Sequence, residues 1–354
     1  MNNLISIDLF RGLAAFSVFY YHQQLGGVLA KFTGCDFFNY TNILGSTYAV
    51  PLFFLISGFC IHLSSVRNSA RKESLNLKKY YTSRFLRIYP IYFFSIIFSL
   101  LVLGYTNPQK IISVMDIAVH ITVLQGFTIK YFNSINLVLW TITVEIAFYI
   151  IYPIFYSINQ KLGINKALLF SALVSTLSIT ICSYSSNNLS LPVIFLFTNL
   201  WFGWCFGAWL CEIYHHQPYF FKSRSWAITC CLIVLSFAGL HFLDFRNDNL
   251  VKNTLNILIW APILIWIIDK ETFFLKYKKW LKVPIAIGLS SYSLYLLHIP
   301  LIALKNSIIL QHFNNQYYLI WMLIGTVLIP LICYFSYCTI EKGVDKLRRT
   351  YLTK

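Results

Sequence analysis

Apolar residues arrive along this chain in runs of roughly 20, the length a helix needs to cross the hydrocarbon core of a bilayer, with short polar stretches between them. The pattern predicts about ten spanning helices, over 7–29, 46–65, 84–104, 136–157, 166–183, 191–212, 226–243, 253–269, 285–305 and 316–338. The expected fold class is therefore all-α, a polytopic transmembrane helical bundle. The run 111–127 is apolar too, but Asp116 and His120 interrupt it, so it predicts an interfacial or re-entrant piece rather than a further span. No internal repeat or low-complexity linker divides the chain. That predicts one membrane domain over 1–345 and a short basic tail over 346–354.

Loop charges give the pattern an orientation. With the N-terminus in the cytoplasm, the loops on that side hold 21 of the 28 Lys and Arg residues and the opposite loops hold 6, alternating loop by loop; Arg11 lies inside the first span. This is the positive-inside bias. A missed or extra span would scramble it, so both termini are expected in the cytoplasm. Composition agrees, since 58% of residues are hydrophobic and 11% charged, against about 25% charged in a soluble domain. The net charge of +16 lies in loops beside apolar runs, where cations serve topology and lipid headgroup contact; it does not point to nucleic acid. The nine cysteines are scattered without C-x-x-C spacing and read as small buried hydrophobes, suggesting neither a disulfide framework nor a metal site. The first apolar run carries Asp8, Arg11 and His22 and lacks a small-residue cleavage site, so it does not read as a cleavable signal peptide.

An ionisable side chain inside a span costs roughly 2.5–3.5 kcal/mol on insertion scales, which makes each one a candidate for function. Few occur here: Arg11 and His22 in the first span, His62 late in the second, Glu145 in the fourth and His298 in the ninth, with Arg84 and Arg87 at the inner end of the third. At 1.5 Å per residue, His22 stands about 16 Å outward of Arg11, and Glu145 and His298 fall at a comparable depth. Two tiers result. Arg11, Arg84 and Arg87 form a cationic inner tier suited to phosphate, because a guanidinium presents a planar fork of donors. Coenzyme A is a phosphate-rich cytoplasmic thioester of that kind. His22, Glu145 and His298 form an outer tier that can abstract a proton near neutral pH and orient the base that does so. Plainer roles exist for each. His62 reads as a packing or interfacial histidine at the inner level, Arg84 and Arg87 fit as topology anchors, and Arg11 can snorkel to the headgroups. A transporter or flippase of an envelope glycan precursor would also carry mid-membrane charges, although the sequence lacks a paired set of Gly/Pro-broken half-helices.

Five segments together resemble the acyltransferase 3 family. The first span, IDLFRGLAAFSVFYYHQQ, holds Arg11 and His22 in an R-x10-H pattern; PLFFLISGFCIH carries an FF-x-x-SGF segment around Ser57 and Gly58. SRFLRIYPIYF supplies R-x-x-R-x-x-P through Arg84, Arg87 and Pro90, and LWTITVEIAFYIIYP supplies W-x-x-x-x-E-x-x-F/Y-Y through Trp140, Glu145 and Tyr149. SYSLYLLHIPL resembles the last histidine segment through Ser291, Tyr292, Tyr295 and His298. The resemblance runs from about residue 4 to 345, with few motifs between the fifth and eighth spans. It implies a multi-pass O-acyltransferase of a bacterial cytoplasmic (inner) membrane. The donor would be acetyl-CoA as cosubstrate, with no permanently bound cofactor, and the acceptor a cell-surface or lipid-linked glycan such as an O-antigen or exopolysaccharide. It also leads us to expect the stand-alone type, without an esterase-like domain after the bundle. His22 is then the implied catalytic residue, as general base or as an acetylated intermediate. Glu145 would orient or charge-pair with a histidine, His298 would complete the outer tier, and Arg11, Arg84 and Arg87 would hold the coenzyme A phosphates. Ser57 is expected only to line the site, with the SGF segment letting two helices approach closely.

Overall fold

The computed structural model describes residues 4–70, 74–184, 193–242, 249–312 and 318–353. Every regular element among them is a helix: α1 (Ile5–His22), α2 (Leu25–Thr33), α3 (Phe37–Thr41), α4 (Ala49–Ala70), α5 (Leu77–Thr106), α6 (Val114–Ile121), α7 (Trp140–Leu162), α8 (Ile164–Tyr184), α9 (Leu196–His216), α10 (Arg224–Phe242), α11 (Asn249–Asp269), α12 (Glu271–Lys276), α13 (Lys282–Leu289), α14 (Ser291–His312), α15 (Tyr318–Ser336) and α16 (Lys342–Thr353). Among the described residues helix underlies each predicted span; 191–192, 243 and 316–317 of those spans lie outside the described residues. Among the described residues, six stretches are long and apolar enough to cross a membrane: Phe37–Arg67, Leu77–Thr106, Trp140–Leu162, Ile164–Tyr184, Ser291–Gln311 and Leu319–Thr350.

The first predicted span is not one helix. It stops at His22 and restarts at Leu25, because Gln24 takes a left-handed conformation at φ 55°, a geometry that costs a side-chain-bearing residue about 1–2 kcal/mol. The apolar run 111–127 yields only the eight-residue α6, about 12 Å long and too short to span. Its Asp116 closes a capping box with Ser113. Residues 346–353, expected as a tail, lie within α16.

The chain forms two compact units. The first comprises Met1–Ile7, Val50–Leu77 and Val144–Lys276; the second comprises Asp8–Ala49, Lys78–Thr143 and Tyr277–Lys354. In the first unit small residues set the helix spacing. Ala167, Ser171, Ser175, Ser178 and Cys182 make a buried stripe on α8, which packs on α9 through Ser175 donating to Thr198 O (2.6 Å) and Ser178 donating to Asn199 Oδ1 (2.6 Å). Small side chains and interhelical hydrogen bonds are what draw helices together in lipid, where burial of apolar surface drives nothing. Between α4 and α9 the approach is closer still: a Cβ on Gly58 would come 1.9 Å from Trp204 O, and one on Gly207 would come 2.1 Å from Leu55 O. The SGF segment therefore does bring two helices into backbone contact.

The second unit uses the same device at α1. A Cβ on Gly288 of α13 would come 2.1 Å from Asp8 O, and one on Gly45 would come 2.0 Å from Ser17 O. α14 carries Pro300, which has no N–H to give the carbonyl four residues back. That carbonyl, Leu296 O, accepts instead from the buried Asn136 side chain at 3.0 Å, and Asn136 also donates to Ser99 on α5 at 3.2 Å. The turn of α14 holding His298 is thereby fastened to the rest of its unit.

Candidate active site

Four polar clusters hold the residues singled out from sequence, two in each unit. The second unit contains the histidine pair. His22 is the last residue of α1 and His298 lies on α14; their ring centroids are 5.2 Å apart. Tyr295 stands 6.0 Å from His298 and Tyr21 stands 5.0 Å from His22, both ring to ring. His298 is fully buried, and its Nδ1 lies 3.0 Å from Leu294 O. A carbonyl can only accept, so Nδ1 carries the proton and Nε2 of the neutral ring keeps its lone pair. Nε2 has no hydrogen-bond partner within the described protein. His22 is half-buried.

The inner tier belongs to the same unit, and it contains a carboxylate that sequence reasoning missed. Glu341 accepts from the backbone N–H of Ser293 at 3.1 Å and from the Ser293 hydroxyl. Ser293 lies in the first turn of α14, whose N–H groups have no intrahelical acceptor. Arg11 and Arg87 both act electrostatically on Glu341. Arg84 and Arg87 act in turn on Arg348, which pairs with Asp345 at 2.9 Å. Four arginines, Arg11, Arg84, Arg87 and Arg348, are thus linked through Arg87, which acts on both Glu341 and Arg348. Arg84 also lies over the Tyr80 ring, 5.6 Å from its centroid. Glu341 was hidden because it falls beyond the last predicted span, in a stretch that reads as cytoplasmic charge. Its glutamate-on-helix-start role appears only once α14 is known to begin at Ser291.

Glu145 belongs to the first unit. Its Oε1 accepts from Tyr149 Oη at 2.5 Å and from Ser57 Oγ at 3.2 Å, while Trp204 Nε1 donates to Ser57 at 3.2 Å. Ser57 is therefore not merely a lining residue: it links α4, α7 and α9 through the carboxylate. One turn and more along the same helices lies the fourth cluster. His62 is 1% exposed; its Nε2 meets Glu212 at 2.6 Å and its Nδ1 meets Tyr152 Oη at 3.0 Å, and Tyr152 donates to Ser65 at 2.7 Å. His62 was expected as a packing or interfacial histidine; it is buried rather than interfacial, and both its nitrogens are bonded inside the unit. Glu212 also faces His216 at 3.6 Å. It was overlooked because it ends the sixth predicted span beside His215 and His216, where a charge reads as the start of a loop.

A family model described as an acyltransferase domain matches residues 4–336. The chain belongs to the acyltransferase 3 family. Its curated relatives include the peptidoglycan O-acetyltransferase OatA of Listeria monocytogenes, 26% identical over 180 residues that make up 48% of this chain and 26% of the relative. An uncharacterized protein of Haemophilus influenzae is 29% identical over 186 residues, 47% of this chain and 75% of that protein. The chain thus spans only about a quarter of the first relative's length. No solved structure matches it significantly. The second unit thus holds both a set of guanidinium groups and a pair of imidazoles, of which His298 has no hydrogen-bond partner on Nε2 among the described residues.

Proposed function

We propose that this protein is a membrane-embedded O-acetyltransferase that moves acetyl from cytoplasmic acetyl-CoA to a hydroxyl of a cell-surface or lipid-linked glycan. It would work from the bacterial inner membrane, with about ten spans and both termini in the cytoplasm. The observation that carries this reading is the His22–His298 contact, 5.2 Å between ring centroids, in the unit that also holds Arg11, Arg84 and Arg87. Arg11 and His22 share α1, and the helical rise from one to the other is about 16 Å. Arginines at one end of that helix suit the coenzyme A phosphates, and an imidazole at the other suits the thioester.

In the proposed step His22 takes the proton of the acceptor hydroxyl while the hydroxyl oxygen attacks the thioester carbonyl carbon. The C–O bond forms, the C–S bond breaks, and the departing thiolate takes the proton from His22. His298, its tautomer set by Leu294 O, packs its ring against that of His22 and limits how that ring can turn. A relay through acetyl-histidine satisfies the same geometry, with His22 attacking first and the acetyl group then passing outward. Glu145 is proposed to hold α4 and α7 in register through Ser57 and Tyr149.

Membranes containing the protein should transfer labelled acetyl from acetyl-CoA into glycan, and membranes lacking it should not. If deletion abolishes export of an unmodified glycan while no acetyl is transferred, the protein is a transporter and this reading fails.

A further inference from the structure

Lys305 lies on α14 seven residues after His298, so the two share a face about 10 Å apart along the helix axis. It is half-buried in an apolar span. An ammonium has three donors and a full charge. Here it meets the Gln23 side-chain oxygen at 3.4 Å and the Met322 thioether sulfur at 3.1 Å, one long contact and one weak acceptor, both neutral. No carboxylate among the described residues lies within ion-pair distance of it.

The position is nevertheless built. Gln23 is 3% exposed and follows His22 directly; its amide nitrogen donates to Met322 O at 3.1 Å and to Thr326 Oγ1 at 3.3 Å, which turns its oxygen toward Lys305. Gly325 on α15 makes room for the lysine stem, since a Cβ there would come 2.6 Å from Lys305 Cδ and 3.2 Å from Gln23 Nε2. Two helices, α14 and α15, and the turn after His22 therefore shape a seat for one cation that meets no carboxylate among the described residues. A cation in a span is costly unless it faces an anion or a polar path.

We propose that Lys305 binds an anionic oxygen group, a phosphate or carboxylate, carried by the acceptor, and that it thereby seats the acceptor hydroxyl against His22. This rests on the acetyltransferase reading and its topology, in which α14 runs outward from His298, placing Lys305 on the acceptor side and away from the arginines that suit the donor. The acceptor it selects is an acidic or phosphate-linked glycan rather than a neutral one.

Two measurements test this. In membranes transferring labelled acetyl to glycan, Lys305→Met should lower transfer about ten-fold or more, the loss of one charge-assisted hydrogen bond, with the half-saturating acetyl-CoA concentration unchanged; Lys305→Arg should retain most of the transfer. Wild-type transfer by Lys305→Met overturns the inference, as does a raised acetyl-CoA requirement. The second measurement needs no activity, so it separates failure of this inference from failure of the acetyltransferase reading. Purified wild type and Lys305→Met are melted in phosphatidylcholine nanodiscs with rising inorganic phosphate. Saturable stabilisation of the wild type, absent in Lys305→Met, supports the site. No difference between them overturns it. Stabilisation dependent on Lys305 that comes from phosphatidylglycerol in the nanodisc and not from phosphate makes the residue a lipid headgroup anchor and overturns the acceptor assignment.

Discussion

Replacing Gly58 by alanine should damage this protein far more than replacing Gly104, although both glycines sit inside apolar helices. A Cβ on Gly58 would come 1.9 Å from Trp204 O and 2.9 Å from Trp204 C, whereas a Cβ on Gly104 would meet nothing within 4 Å. The atoms in the way at Gly58 are backbone and cannot rotate aside, so α4 and α9 must part by about 1 Å, and such a gap forfeits roughly a quarter to a half of each dispersion contact it opens. Overpacking alone costs about 1–3 kcal/mol. The neighbouring Ser57 would also pull away from Glu145 and Trp204, now 3.2 Å from each, at about 1 kcal/mol per hydrogen bond. Gly58→Ala should therefore lose about 3–5 kcal/mol. Gly104→Ala should be neutral or gain about 0.5–1 kcal/mol from helix propensity. Thermal unfolding of the purified variants in nanodiscs reads this as a drop of several degrees for Gly58→Ala alone. Equal melting of Gly58→Ala and wild type would show that the α4–α9 approach is looser than described.

The other clusters give sharp outcomes too. His62→Leu should cost about 3 kcal/mol by taking from the half-buried Glu212 its buried partner and leaving it beside His216 and Asn159, and the His62→Leu/Glu212→Leu double variant should lose less than the sum of the singles, with equality counting against the pair. Asp116 in α6 is subject to burial, which raises its pKa, but hydrogen bonds from Ser113 and Ser134 and the nearby His120 outweigh it and hold the carboxyl below its usual 3.8. A depressed acid stabilises at higher pH, so amide protection of α6 should be constant above that value and fall as pH drops through the lowered one; Asp116→Asn should erase the dependence, and its persistence would exclude Asp116 as the cause. Arg84→Ala or Arg87→Ala should raise the acetyl-CoA requirement more than the acceptor requirement, and equal effects on both would mark a structural anchor.

Much of the helix inventory was legible because lipid demands long apolar runs, and the loop charges alternate with them. His22 and His298 could be paired by depth alone, since helix rise converts residue number into height. Who packs beside whom is a different matter, for it depends on which helix faces meet. Glu145 was expected against a histidine because a mid-span carboxylate needs a partner, yet Ser57 and Tyr149 already supply two donors within its unit. Glu212 and Glu341 both fall at the ends of predicted spans, where position says loop and only the tertiary contact reveals a buried partner. The break after His22 was invisible as well. Nothing in Gln23–Gln24 resembles a glycine or proline stop, and the Gln23 side chain that reaches Met322 and Thr326 on α15 is a tertiary contact.

The central claim is that His22 performs acyl transfer. Its most direct test is incorporation of labelled acetyl from acetyl-CoA into glycan by membranes carrying His22→Ala, with insertion and melting of the variant measured in parallel. The account predicts that transfer is abolished while the protein remains inserted and folded. Undiminished transfer by that variant would contradict it.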